Sequence, residues 1–145
     1  MAFLESLDVS ASALTAQRLR MDVISENIAN IDTTRTADGQ PYRRRYVIFQ
    51  EKEAQPFSFY FDSSSAGASG GGVRVSEIAE DESEFQLKYD PTHPDADEYG
   101  YVSMPNVDLA TEMVDMMSAT RSYEANVTAV NATKSMAMAA MDIGK

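Results

Sequence analysis

Residues 105–141 read PNVDLATEMVDMMSATRSYEANVTAVNATKSMAMAAM. One series through this stretch takes Leu109, Met113, Met116, Thr120, Tyr123, Val127, Val130, Lys134, Ala137 and Met141, in alternating steps of four and three residues. Eight of these ten are apolar, and that recurrence is the seam of a helix lying along another helix. Asn106 or Asp108 is placed to cap its start. Gly144 stands where a C-terminal glycine cap belongs. A helix from about 107 to 142 is roughly 54 Å long at ~1.5 Å per residue. A compact globule of this chain's length has a radius of gyration of only about 15 Å. Such a helix needs a rod-like partner rather than a round core.

The N-terminal end has the same texture. Phe3, Leu7, Ser10, Leu14, Gln17, Met21, Ile24, Ile28 and Ile31 repeat the four–three spacing, and seven of the nine are apolar. Asn30 to Asp32 should end that helix. The two seams are more than one helix pair covers, so further helices are expected from neighbouring subunits. Six of the last helix's residues, Met113, Met116, Met117, Met136, Met138 and Met141, are methionine. Unbranched thioethers repack against non-identical neighbours, which suits an adaptable interface; ordinary core is the plainer reading.

The middle has the period of strands. Tyr46 to Phe49 is β-prone, and Phe57, Phe59 and Phe61 alternate with polar or smaller neighbours. Phe85, Leu87 and Tyr89 alternate with Gln86 and Lys88, and Val73 and Val75 mark a weaker strand. Asp38 to Pro41 reads as a turn, residues 63–72 as a flexible Ser/Gly/Ala loop, and residues 91–97 as another loop. The expected fold is α+β. Terminal helices (1–34 and 105–145) form a coiled-coil-like pair, and residues 35–104 form a small antiparallel β region between them.

Composition closes off several functions. The 145 residues carry 23 acids against 12 bases, a net charge of -11, which repels phosphate and argues against nucleic acid as a partner. There is no Cys and one His, His93, so thiol chemistry, Cys or two-His zinc sites and iron–sulfur clusters are excluded. No apolar run reaches the ~18 residues of a membrane span. The first nine residues carry Glu5 and Asp8 with no basic leader, unlike a secretory signal peptide. Charge is also uneven: residues 35–52 hold five bases and two acids, whereas residues 76–115 hold twelve acids and one base. Those patches would pair with copies of the chain or related subunits, or else stay solvated.

No catalytic set stands out. Asp90, His93, Asp95, Asp97 and Glu98 gather oxygen ligands for a hard cation, but two prolines interrupt them and the spacing is not that of an EF-hand. A solvated acidic loop is the plainer reading. Gly70 to Gly72 lacks the Lys-Ser/Thr of a phosphate loop. Arg43 to Arg45 reads as a charged strand edge. No metal, cofactor or enzymatic activity is expected.

The segment Ser25-Glu-Asn27-Ile28-Ala29-Asn30-Ile31-Asp32-Thr33 resembles the Asn-Leu-Ala-Asn motif of the bacterial flagellar rod and hook (axial) protein family. Three further blocks are similar to its proximal rod members. They are Asp38 to Arg43 with Val47 to Gln50, Gly100 to Val114, and Met117 to Asn126 continuing through Met136. The similarity runs along nearly the whole chain, with Ile28 where the family usually has Leu and a longer stretch at 57–72.

The resemblance implies a structural subunit of the basal-body rod, the periplasmic drive shaft around an export channel. Its partners would be copies of itself, proximal and distal rod subunits, a basal-body adaptor and the flagellar type III export apparatus, with no cleaved signal peptide. The expected subunit-interface residues are Leu7, Leu14, Met21, Ile24, Ile28, Leu109, Met113, Met116, Tyr123, Val127 and Val130. Asn27, Asn30 and Arg121 are added as polar groups that fix register. A soluble coiled-coil adaptor or export chaperone is the alternative.

Overall fold

The computed structural model describes residues 2–52 and 71–143. Their order is α1 (Ala2–Ala29), β1 (Arg45–Glu51), β2 (Val73–Glu80), β3 (Gln86–Tyr89), β4 (Tyr101–Met104) and α2 (Leu109–Ile143). This is the α+β arrangement read from the sequence: two long terminal helices with two small antiparallel sheets between them. The Phe57 to Phe61 strand, residues 63–70 of the expected loop and the Gly144 cap lie outside the described residues.

α2 starts and α1 stops for local reasons. Asp108 caps α2: its carboxylate accepts hydrogen bonds from the Thr111 backbone N–H at 3.0 Å and hydroxyl at 2.6 Å, satisfying a donor that the first helical turn cannot. Those hydrogen bonds, the hydroxyl's first, hold the Asp108 carboxyl below the usual range. Asn106, the other capping choice, instead faces the sheets. Its carbonyl oxygen accepts the Arg44 backbone N–H at 2.8 Å, and its amide donates to the Asp81 carbonyl at 3.0 Å. At the end of α1, the Asn30 backbone N–H still reaches the carbonyls of Glu26 and Asn27 before the chain turns away.

β1 and β2 form one two-stranded sheet and β3 and β4 another. Backbone hydrogen bonds from Asp81 to Arg44 and from Lys52 to Gly72 bracket the first, which makes it antiparallel. Gly71 also donates to Lys52. The last two residues of the expected Ser/Gly loop are therefore ladder ends. Gly72 has φ +98°, and a β-carbon there would run into the Ser12 side chain. Glycine lets that strand start come close to α1, where the Ser12 hydroxyl accepts the Val73 N–H. In the second sheet Gln86 pairs with Met104, and Tyr89 with Tyr101.

The chain divides into two compact units. One gathers residues 1–18, 48–77 and 120–145; the other gathers 19–47 and 78–119. In the second, Val23, Ile24, Tyr42, Val102, Val107 and Ala119 are buried, together with Asn27 and Glu112. In the first, Ala16 is buried.

Candidate assembly surface and its buried anchor

The 19–47/78–119 unit is built around a polar side chain. Asn27, at the last turn of α1, is 0% exposed. Its amide nitrogen donates to the Arg45 carbonyl at 2.8 Å and to Glu112 Oε2 at 3.0 Å. Its carbonyl oxygen accepts from the Tyr42 hydroxyl at 3.0 Å and from the Arg45 backbone N–H at 3.0 Å. All four of its hydrogen-bonding positions are filled, which a buried amide requires. One residue thereby fastens α1 to the start of β1 and to the first turns of α2.

Glu112, also 0% exposed, is the second half of the anchor. Its other oxygen accepts from Arg44 Nε at 2.6 Å. Arg44 continues to Asp115 at 3.2 Å and lies 4.0 Å from Asp81. Arg20, from α1, reaches the other oxygen of Asp115 at 3.1 Å. Burial works against the charge of Arg44, but its hydrogen bond to Glu112 and the charges of Glu112, Asp115 and Asp81 outweigh it. The guanidinium is held above its ordinary value. Burial, then the charge of Glu26, pushes the Tyr42 phenol up, against the pull of Arg45. A buried carboxylate is tolerated only when paired and hydrogen-bonded in this way.

The basic run at 43–45 is thus engaged within the subunit. Arg44 pairs as above, Arg45 pairs with Glu26 at 3.2 Å and Glu80 at 3.4 Å, and the Arg43 guanidinium lies 4.4 Å from the Phe85 ring centroid. Arg35 pairs with Asp95 at 2.7 Å. The acidic loop is likewise occupied with its own turns. Asp90 accepts from Thr92, and Asp97 accepts the N–H groups of Tyr99 and Tyr101. Among the described residues, no three acidic or His side chains are placed to hold one metal ion.

On α2 two stripes lie side by side. Glu112, Met116, Ala119, Tyr123, Asn126, Val130, Thr133 and Ala137 are buried or half-buried. Leu109, Met113, Thr120, Val127, Lys134 and Met141 are exposed. The stripes share the row Met116, Tyr123, Val130 and Ala137. The members found only in the covered stripe are polar or small. The members found only in the open one include Leu109, Met113 at 55% and Met141 at 67% exposure. Asn126 and Thr133 tolerate their positions because each bonds a carbonyl one turn back, at Ser122 and Ala129. On α1 the described members of the expected seam are covered: Leu7, Leu14, Met21 and Ile28 are half-buried, and Ile24 is buried.

The polar residues picked from sequence have different surroundings. Asn27 is anchored inside the chain. Asn30 is half-buried, donating to the Glu26 carbonyl at 2.9 Å and accepting from Thr33. Arg121 is exposed and makes no ion pair among the described residues. Sequence reasoning missed Tyr42, Arg44, Asn106 and Glu112 as a group. The available signal was Glu112 itself, a carboxylate four residues before Met116 on a covered row.

Two family models match the chain. The model described as flagella basal body rod protein covers residues 7–35. The model for the C-terminal part of flagellar basal body rod FlgEFG proteins covers residues 99–143. The flagellar basal-body rod protein FlgC of Bacillus subtilis is 58% identical over the full length of both chains. The FlgC of Borreliella burgdorferi is 51% identical over 99% of this chain and 98% of its own. That of Escherichia coli O6:H1 is 44% identical over all of both. The chain belongs to the FlgC family of flagellar basal-body rod proteins. The two matched ranges hold α1 with Asn27 and α2 with Glu112, so in this FlgC-family chain the anchor joins both matched segments. Arg44 and Tyr42, which complete it, lie between them.

Proposed function

We propose that the chain is a structural subunit of the flagellar basal-body rod and joins copies of itself and related rod subunits through its terminal helices. The observation that carries this is the exposure of α2, which covers the row of Glu112, Ala119, Asn126 and Thr133 and leaves the apolar Leu109, Met113, Val127 and Met141 open. An apolar helical stripe in water is unfavourable at roughly 25 cal/mol per Å² and is relieved when a neighbour covers it. Interlocked helical seams resist sliding, since a shift of one residue takes each side chain out of its hole. That is the mechanical property a torque-transmitting shaft needs.

Enclosure of an export channel, delivery by the flagellar type III apparatus and residence in the periplasmic space belong to the same proposal. So do a basal-body adaptor and the distal rod as neighbours. What supports them is the family membership and a subunit without a described helix long and apolar enough to cross a membrane.

The test is Val127→Asp, on the open stripe at 36% exposure. The variant is expected to be made at normal levels with native helicity, yet to be missing from purified basal bodies. Normal incorporation and motility would sink the assignment of this stripe to assembly.

A further inference from the structure

His93 is the chain's only histidine. It stands half-buried in the loop between β3 and β4. Backbone hydrogen bonds close the base of that loop: the Asp90 N–H donates to the Gly100 carbonyl at 2.9 Å, and the Asp97 N–H to the Tyr101 carbonyl at 2.9 Å. The middle depends on side chains. Asp95 reaches back to the turn after α1, where its carboxylate accepts from the Thr34 hydroxyl at 2.9 Å and pairs with Arg35 at 2.7 Å. Its backbone N–H donates to His93 Nδ1 at 3.1 Å. Pro94 shapes that contact, because its ring fixes its own φ and keeps the residue before it extended.

An imidazole nitrogen accepts a hydrogen bond only while it carries no proton. Nδ1 must therefore be bare and the ring neutral for the Asp95 N–H to be held in this way. Protonation puts an N–H where the acceptor was, and donor then faces donor. The ring has another place to go. It lines a cavity of about 180 Å³ together with Asp32, Lys88 and Asp90. The Thr92 hydroxyl and N–H hold the Asp90 carboxyl below the usual range, with smaller help from the charges of His93 and Lys88. Asp90 is therefore a carboxylate when the ring gains its proton. The charged groups around the ring are Asp90 and Asp95 on its own loop, Asp32 and Arg35 from the turn after α1, and Lys88 from β3. β4 contributes the uncharged Val102 and Met104.

We propose that His93 is a pH-dependent latch: neutral, it holds Asp95 against Thr34 and Arg35, and protonated, it releases the Asp95 N–H and turns toward the Asp32 and Asp90 carboxylates. Imidazole is the side chain that changes charge between pH 5 and 8, so the latch is closed at the alkaline end of that window and open at the acid end. The hydrogen bonds at Asp90 and Asp97 hold in both states, which confines the opening to residues 93–96. Nearby carboxylates attract the imidazolium as the acceptor contact is lost. The two effects oppose each other in global stability, so the Asp95 amide is the group to watch. The latch does not depend on the chain being a rod subunit.

The experiment is amide exchange of the full chain followed by NMR across that window, with the His93 ring shifts recorded in the same samples. Rates are converted to protection factors, which removes the intrinsic pH dependence of exchange. Protection of the Asp95 amide is expected to fall about fivefold towards acid, as for the loss of one hydrogen bond, and to follow the titration of the ring. The Asp90 and Asp97 amides should stay protected. His93→Asn supplies an oxygen acceptor that does not titrate, as Asp90 accepts the Thr92 N–H two residues on, and should keep Asp95 protected at both ends. His93→Ala should leave it unprotected at both. Constant protection of Asp95 through the ring's titration in the parent chain overturns the latch. An equal fall in His93→Asn overturns it by assigning the change to another group. Full protection at the alkaline end in His93→Ala overturns the contact itself.

Discussion

Replacing Asn27 by alanine removes four hydrogen bonds at once. It leaves the Tyr42 hydroxyl, one Glu112 oxygen, and the N–H and C=O of Arg45 short of a partner. Two of those four groups belong to buried side chains, and each buried polar group left without a partner costs about 1–3 kcal/mol. Water reaches the half-buried Arg45 more easily, so the total should be about 3–4 kcal/mol. For a chain of this size that lowers Tm by about 10 °C. Asn30→Ala is the internal control. The same residue type, three positions on, bonds only to a carbonyl of its own helix and to the Thr33 hydroxyl, so it should cost about 1 kcal/mol or less. The assay is urea unfolding of both variants followed by circular dichroism, with the midpoints compared at equal slope. Equal destabilisation by the two, or less than about 1 kcal/mol for Asn27→Ala, would show that the anchor does not hold this unit together.

Other outcomes follow from the same contacts. Tyr42→Phe removes one donor to Asn27 and leaves the ring in place, so the urea midpoint should fall by an amount equivalent to about 1 kcal/mol. Arg44→Leu leaves Glu112 buried without its cation and should cost about 3–5 kcal/mol, whereas Arg44→Leu with Glu112→Leu should recover much of that loss. A double variant no more stable than Arg44→Leu alone would show that the pair is not the coupled element. The lowered carboxyl of Asp108 makes its cap pH-dependent. Its contribution is complete above the ordinary value of 3.8 and is lost as pH falls through the lower folded value. Asp108→Asn still caps the helix but cannot titrate. In an acid titration of helicity it should lose less signal below pH 3.8 than the parent chain, and a loss equal to the parent's would rule out the cap as the cause.

The sequence showed both helices to within a few residues, because apolar recurrences over 28 and 35 residues leave little ambiguity about period. The strand around Val47 was legible as a β-prone run, that at Leu87 from alternation, and that at Val75 only as a weaker strand. β4 was not, since Tyr101 to Met104 is four residues long and carries no alternation that a window can detect. The anchor was illegible for a different reason. Asn27, Tyr42, Arg44 and Glu112 are separated by up to 85 positions, and a charge in a sequence does not reveal which distant charge neutralises it. The arginines at 43–45 therefore read as surface until the fold put Glu112, Asp115, Glu26 and Glu80 beside them.

The most instructive difference lies on α2. Ranking stripes by apolar content picks Leu109, Met113, Met116, Tyr123, Val127, Val130 and Met141; in the single chain Met116, Tyr123 and Val130 are half-buried, whereas Leu109, Met113, Val127 and Met141 face water. The rule that apolar residues go inside holds for a completed molecule, and a subunit of a polymer is not complete. The chain covers the row that includes Glu112, Asn126 and Thr133 because each of those polar groups has a partner there: Arg44 and Asn27 for the first, a carbonyl one turn back for the others. Covering that row fixes how α2 is rotated about its axis in the 19–47/78–119 unit, where Glu112 is clamped. An α2 rotated by one residue, about 100°, would take Glu112 away from both partners and leave a charge unpaired near apolar surface. Within that unit the polar anchor thus leaves Leu109 and Met113 exposed, the residues proposed to meet a neighbour. On this reasoning, losing Arg44 or Asn27 should impair assembly even though neither side chain lies on the open stripe.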